Sequence, residues 1–227
     1  MEILALTRLL QLASPVLPVG AYTYSQGLEW AVESGRIGDE ASAGQWIADL
    51  LQHGIGRFEA PLLVSLMAAW SIPDTSEIAR LNADFLASRE SAELRTETLQ
   101  MGFSLNRLLK DLHDPALEAV QATLAAQPEI AFPTAWSGIA AAWSIAPAVA
   151  TAAYLWSWAE NQVMAALKAV PLGQAAGQRL LARLGRQIPV VAESAEQLPE
   201  AEWSNFTPAF AICSARHETQ YSRLFRS

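Results

Sequence analysis

The 227-residue chain carries 15 Lys and Arg against 23 Asp and Glu, a formal charge of −8, and 52% of its residues are hydrophobic. That composition supplies a substantial core and excludes wholesale disorder, while the acidity excludes the general electrostatic grip on phosphates that nucleic-acid binding needs. The lone cysteine, Cys213, excludes an internal disulfide and a thiolate metal cluster, which fits a reducing cytosol.

The start, Met1-Glu2-Ile3-Leu4, has neither a basic n-region nor a small-residue cleavage site, so no secretory signal is expected. Ile3 to Leu12 reads as a short amphipathic helix stopped by Pro15 and Pro18. Thr23, with Gln26 three residues on, reads as the capping box of a second helix that Gly35 ends. Glu40 to His53 follows, stopped by Gly54 and Gly56, and then Glu59 to Trp70, with Pro61 tolerated in the first turn. Asp74 with Glu77 opens the next helix, whose Ile78, Leu81 and Phe85 share a face. Ser91 to Leu112 carries Leu105, Leu108, Leu109 and Leu112, and Asp114-Pro115 is a cap followed by proline at the first helical position.

Further helices are expected over 116–126, 134–146, 148–169 and 174–186, and Thr207-Pro208 opens a last one toward Tyr221. Segment 187–206, with two prolines and four glutamates, reads as loop. Thirty uncharged residues separate Glu129 from Glu160, long enough to span a bilayer. Eleven of them are Ala, only six are Ile, Leu, Val or Phe, and Pro133 and Pro147 interrupt the run, so two buried helices are expected instead. No run alternates strictly between apolar and polar residues, so no strand is expected. The expected fold is all-α: one domain, a bundle of about ten helices spanning 1–227, with 208–227 as a C-terminal helix and partner-binding tail.

Charge is uneven along the chain. Residues 1–160 balance to −10, whereas 161–192 hold Lys168, Arg179, Arg183 and Arg186 with no acid. The arginines recur at i, i+4 and i+7, one helical face opposite Leu180 and Leu184, either solvated and paired or a docking surface for an acidic partner. Neither Lys110 nor Lys168 sits in a phosphate-binding P-loop, and no G-x-G-x-x-G is present. His217-Glu218 opens like a zincin helix, but Tyr221 stands where the second histidine belongs. Cys213 and His217, four apart, can share a helix face, but two ligands alone make a poor metal site, so both are expected simply to be buried or on the surface. A metal-dependent hydrolase built on Glu29, His217 and Glu218 has no ligand motif to support it.

Three segments are more specified than a bundle requires. The first is Ser14–Trp30, where two prolines fix an extended turn, Gly20 permits positive φ, and Tyr22, Tyr24, Ser25, Gln26, Gly27 and Glu29 cluster at a helix start. In the second, Lys168-Ala169-Val170-Pro171-Leu172-Gly173, a helix stops, turns and restarts with Gln174 and Gln178. The third is the end of the chain, where His217, Tyr221, Leu224 and Phe225 interleave with Arg223 and Arg226, the residue types that anchor interfaces.

With these segments in this order and spacing, and with Phe132-Pro133 before the Ala-rich helix, the sequence resembles the UreF family of urease accessory proteins over essentially its whole length. The resemblance implies an all-α, dimeric, cytoplasmic, non-catalytic maturation factor with no cofactor of its own. It implies an adaptor between a UreD-type accessory protein (UreH in some organisms) and the GTPase UreG on the route to the urease apoprotein. Nickel and GTP would be handled by that complex, with no membrane or nucleic-acid partner. The tail residues Arg223, Leu224, Phe225 and Arg226 are assigned to the UreD-type partner. The Gly20–Glu29 loop and Lys168 with its following turn are assigned to the GTPase side. A second reading makes the chain a regulator of the partner's GTP hydrolysis, through a cation from Lys168, Arg179 or Arg183 supplied in trans; lysine suits that role less well than arginine.

Overall fold

The computed structural model describes residues 2–227. Among them are eleven α-helices and no strand: α1 (Ile3–Leu12), α2 (Leu28–Glu33), α3 (Glu40–Asp49), α4 (Glu59–Ser71), α5 (Thr75–Ala87), α6 (Ala92–Leu112), α7 (Glu118–Ala125), α8 (Phe132–Ala142), α9 (Pro147–Ala169), α10 (Gln174–Gln197) and α11 (Pro208–His217). The expected N-caps form at Asp74 and Asp114, which accept the backbone N–H of Glu77 and Ala116, and Ser91, expected as the first residue of its helix, caps it instead by accepting the Leu94 N–H. Asp39 and Ser42 close a reciprocal capping box on α3.

The Ala-rich stretch becomes the centre of the bundle. α8 is buried at every position from Pro133 to Ala140, packed between α4 and α6. Small side chains permit this: a Cβ on Gly102 of α6 would lie 2.1 Å from the Ile130 carbonyl oxygen, so only glycine lets the strand of chain entering α8 pass so close. α4 is likewise buried on most faces, through Ala60, Leu62, Leu63, Leu66, Met67 and Ala69. α9 and α10 pair along their lengths, and α11 packs on α2 and α6. A smaller apolar cluster centred on Phe85 and Ile78 fills the space between α4 and α5. Among the described residues, no helix is long and apolar enough to cross a membrane.

Five boundaries differ from expectation, one of them in α8, which starts at Phe132 and stops at Ala142 rather than spanning 134–146. Thr23 caps no helix; its hydroxyl donates to the Gly20 carbonyl within a 3₁₀ turn over Ala21–Thr23, and α2 begins only at Leu28. The helix expected to reach His53 leaves α geometry at Asp49 and continues as a π turn over Leu50–Ile55. α11 ends at His217 rather than near Tyr221, because the chain turns back there onto α2.

The largest correction is α10, which runs through Pro189 to Gln197 where a loop was expected. Proline inside a helix removes one hydrogen bond and costs about 3 kcal/mol. Here the apolar spacing continues past it, with Ile188, Val191, Ala192 and Ala195 all buried, and burial contributes roughly 1.5–3 kcal/mol for each of Ile188 and Val191 and about 0.8 kcal/mol for each alanine methyl. Burial therefore outweighs the break. Pro189 itself faces solvent, so Pro189→Ala restores the missing donor without losing packing. It should stabilise the chain by about 1–3 kcal/mol in denaturant unfolding; an unchanged or lowered midpoint would contradict this account of α10.

Candidate functional site

The three over-specified segments meet. The chain leaves α1, turns through Gly20 and Gly27 (both at φ 78°), and enters α2. Gly27 is required twice over: its φ is positive, and a Cβ there would lie 2.8 Å from the Ser214 nitrogen of α11. Gln26, between them, also adopts a left-handed φ of 54°. Its side chain holds it there: Nε2 donates to Glu97 at 2.7 Å, while Oε1 accepts from Trp158 Nε1 at 2.8 Å and Gln162 Nε2 at 3.2 Å.

Onto this loop folds the end of the chain. The Ser227 carbonyl oxygen accepts from the backbone N–H groups of Ser25 and Gln26, at 2.6 and 3.0 Å, and from Ser25 Oγ at 2.7 Å. Ser227 Oγ donates to Glu97 at 2.7 Å, and the Arg226 N–H to the Thr23 carbonyl at 2.8 Å. Glu29, in the first turn of α2 and only 6% exposed, accepts the N–H groups of Leu224 and Phe225 at 2.6 and 3.0 Å. Its Oε2 also lies 3.2 Å from His217 Nε2, while His217 Nδ1 lies 2.7 Å from Glu93. Glu93 in turn takes the Arg223 guanidinium at 2.7 Å. A neutral imidazole can donate to only one of its two carboxylates, whereas an imidazolium donates to both.

Lys168 joins the third segment to the other two. Its Nζ donates to the Tyr22 carbonyl at 3.4 Å and lies 5.8 and 5.4 Å from the ring centroids of Tyr22 and Phe225. Asn161 Nδ2 donates to the Tyr24 carbonyl at 3.1 Å. The resulting face presents Tyr22, Lys168, Tyr221, Arg223, Leu224 and Arg226 to solvent, and buries Tyr24, Ser25, Gly27, Glu29, His217 and Phe225 beneath them. Among the described residues, no hydrogen bond or ion pair ties Gln174, Gln178, Arg179 or Arg183 to this face. They lie on the exposed side of α10, where Arg179 pairs with Glu40 of α3.

Glu93 and Glu97 escaped the sequence reading, although a signal was present. Glu97 falls three residues after Leu94 and four before Met101, on the buried face of α6. Burial pushes its carboxyl from the ordinary 4.5 up to about 7, partly offset by the donors Ser227 and Gln26. Burial likewise raises Glu59, against the pull of Arg89, and Tyr154, which hydrogen-bonds Glu59.

No convergent metal site results. Among the described residues, no group of three or more His, Cys, Asp or Glu side chains is arranged to hold a metal ion. The two carboxylates at His217 occupy opposite sides of its ring, and Glu218, rather than joining Glu29 and His217, turns its carboxylate to the Ala92 N–H at 2.7 Å, at the start of α6. Cys213 is buried, which raises its thiol pKa.

Known proteins match this chain closely. Residues 37–185 match the family model described as UreF. The chain is 73% identical over 224 residues to the urease accessory protein UreF of Dechloromonas aromatica (strain RCB), covering 99% of this chain and 98% of that protein. It is 64% identical over 226 residues to the protein of the same name from Azoarcus sp. (strain BH72), covering 99% and 97%. It is 52% identical over 224 residues to that of Methylobacillus flagellatus, covering 98% of each. The family model stops short of the loop and the tail at both ends, but these relatives align across both.

Two measurements test the site. Glu29→Ala leaves the amides of Leu224 and Phe225 without an acceptor, at roughly 1–3 kcal/mol for each buried group left unpaired. Hydrogen exchange at those two amides should accelerate at least ten-fold while α8 stays protected; unchanged exchange would mean Glu29 does not hold the tail. Glu97 carries the pH signature. Between about pH 4.5 and 7 the folded chain holds a proton there that the unfolded chain has released, so stability falls as pH rises through that window. Glu97→Gln should remove roughly 2–3 kcal/mol of that decline, read as a flatter plot of unfolding free energy from pH 5 to 8.

Proposed function

The chain belongs to the UreF family of urease accessory proteins, and from that premise we propose that it works as the adaptor of a urease-maturation complex. In this reading it joins a UreD/UreH-type accessory protein to the GTPase UreG, as a cytoplasmic homodimer. The assembly delivers nickel, as cargo, to the urease apoprotein at the expense of GTP. The observation that supports the reading is the composite face, where loop 20–29, Lys168 and the tail form one surface from segments 140–200 residues apart.

That face has the chemistry of a docking surface. Tyr221 is fully exposed and Leu224 is 70% exposed, flanked by Arg223 and Arg226, the aromatic, apolar and arginine mixture that anchors interfaces. Lys168 is engaged by Tyr22 and Phe225 beneath it, which favours an adaptor over a trans-acting cation for the GTPase.

The test uses light scattering coupled to size exclusion, on the full chain alone and mixed with its UreD- and UreG-type partners. The chain alone should run as a dimer. Leu224→Glu loses no internal contact of the kind that holds Phe225, and should weaken the UreD-type complex at least ten-fold. Lys168→Glu should weaken recruitment of the GTPase and leave the UreD-type complex standing. Wild-type assembly by both variants would defeat the assignment of this face.

A further inference from the structure

Below α1 and the proline loop the molecule holds a cavity of about 160 Å³, close to the volume that takes up one benzene-sized ring. Most of its wall is apolar, with Phe132, Trp136 and Trp158 contributing ring surface. Its charged lining is three acids, Glu59, Glu97 and Glu160, and one base, Arg89.

The charges do not balance locally. The Arg89 guanidinium is committed, 3.6 Å from Glu59 and stacked 4.0 Å over the Phe85 ring. Among the described residues the hydrogen-bond donors to Glu97 are neutral, the Gln26 amide and the Ser227 hydroxyl, and Arg89 acts on it only at longer range, its pull opposed by Glu59. Glu160 is half-buried, and among the described residues no cation pairs with it. A carboxylate inside an apolar, aromatic-walled cavity is stabilised by a cation whose body replaces water against the rings, and aromatic faces add attraction for the same charge. A metal ion is a poor occupant, since no set of three ligating side chains converges among the described residues. An anion would meet three acids.

We propose that this cavity is a binding site for a small organic monocation, an ammonium or guanidinium group carried on a single ring or a short branched chain. The inference does not rest on the adaptor reading: the cavity lies beneath the loop and shares Glu97 with the tail, whose Ser227 hydroxyl donates to the same carboxyl. Because Glu97 is partly protonated near neutral pH, a cation that brings out its ionised form releases a proton on binding.

The experiment is titration calorimetry of the full chain at pH 7 with benzylammonium, benzyl alcohol and benzoate, repeated in buffers of different ionisation heat. Benzylammonium should bind at least ten-fold more tightly than benzyl alcohol, with net proton release, and benzoate should not bind. Glu97→Gln should erase the advantage over the alcohol and the proton release. Met164→Trp, at a 45%-exposed position of the cavity lining, should weaken both ligands without touching the core. Equal affinity for the alcohol and the ammonium, absence of binding, or binding indifferent to Met164→Trp would each overturn the proposal. If Glu97→Gln fails to fold, the ligand comparison and Met164→Trp decide the matter.

Discussion

The lower half of the composite face depends on one constraint, the need to satisfy the buried carboxylate of Glu29. A carboxylate removed from water costs several kcal/mol unless donors replace the lost hydration. Two backbone N–H groups of the tail and the ring of His217 are those donors. Each is supplied from about 190 residues away, so the acid is stable there only when the end of the chain has returned to α2. The same closure buries Phe225 beside Lys168, worth roughly 2 kcal/mol in apolar area. Folding of the body and docking of the tail are thus coupled through a single side chain.

The helical body was largely legible in the sequence, for physical reasons that can be named. Caps at Asp74 and Asp114 and breaks at Pro147 and Gly173 act over three or four residues, and local rules capture them. α10 was misread because a proline is a local signal, whereas the burial of Ile188, Val191 and Ala195 is a tertiary one, and the tertiary term is larger. The start of α2 was misread for the opposite reason. Thr23 and Gln26 have the right types for a capping box, yet the side chain of Gln26 is drawn away by Glu97 and Trp158, partners 71 and 132 residues distant.

The site divides along the same line. That Gly20, Tyr22, Glu29, Lys168 and Phe225 were special could be read from local over-specification. That these five meet at one place could not, because no spacing rule relates residue 22 to 168 or 225. Gln174, Gln178, Arg179 and Arg183 meet the same limit. The basic helix face was left open between a solvated, paired face and a docking surface, and the acid that Arg179 pairs with, Glu40 of α3, lies 139 residues away, beyond the reach of any spacing rule. Glu93 and Glu97 were hidden by their charge: glutamate on an apolar stripe is read as an exception to the stripe until its buried donors are known.

Gln26 connects the two regions that otherwise look separate. Its backbone N–H holds Ser227, its amide nitrogen holds Glu97, and its amide oxygen is held by Trp158 and Gln162. Glu97 and Trp158 both line the cavity, and Ser227 closes the tail. A left-handed φ at a non-glycine residue costs roughly 1–3 kcal/mol and persists only where its surroundings over-determine it. Four hydrogen bonds to three different elements do so here. If the tail leaves, Gln26 loses its backbone partner and Glu97 its hydroxyl donor together. The left-handed turn then rests on the side-chain bonds of Gln26 alone, and the cavity's acid loses part of its compensation. Any partner that takes hold of the tail therefore acts on the interior of the bundle as well as on its surface.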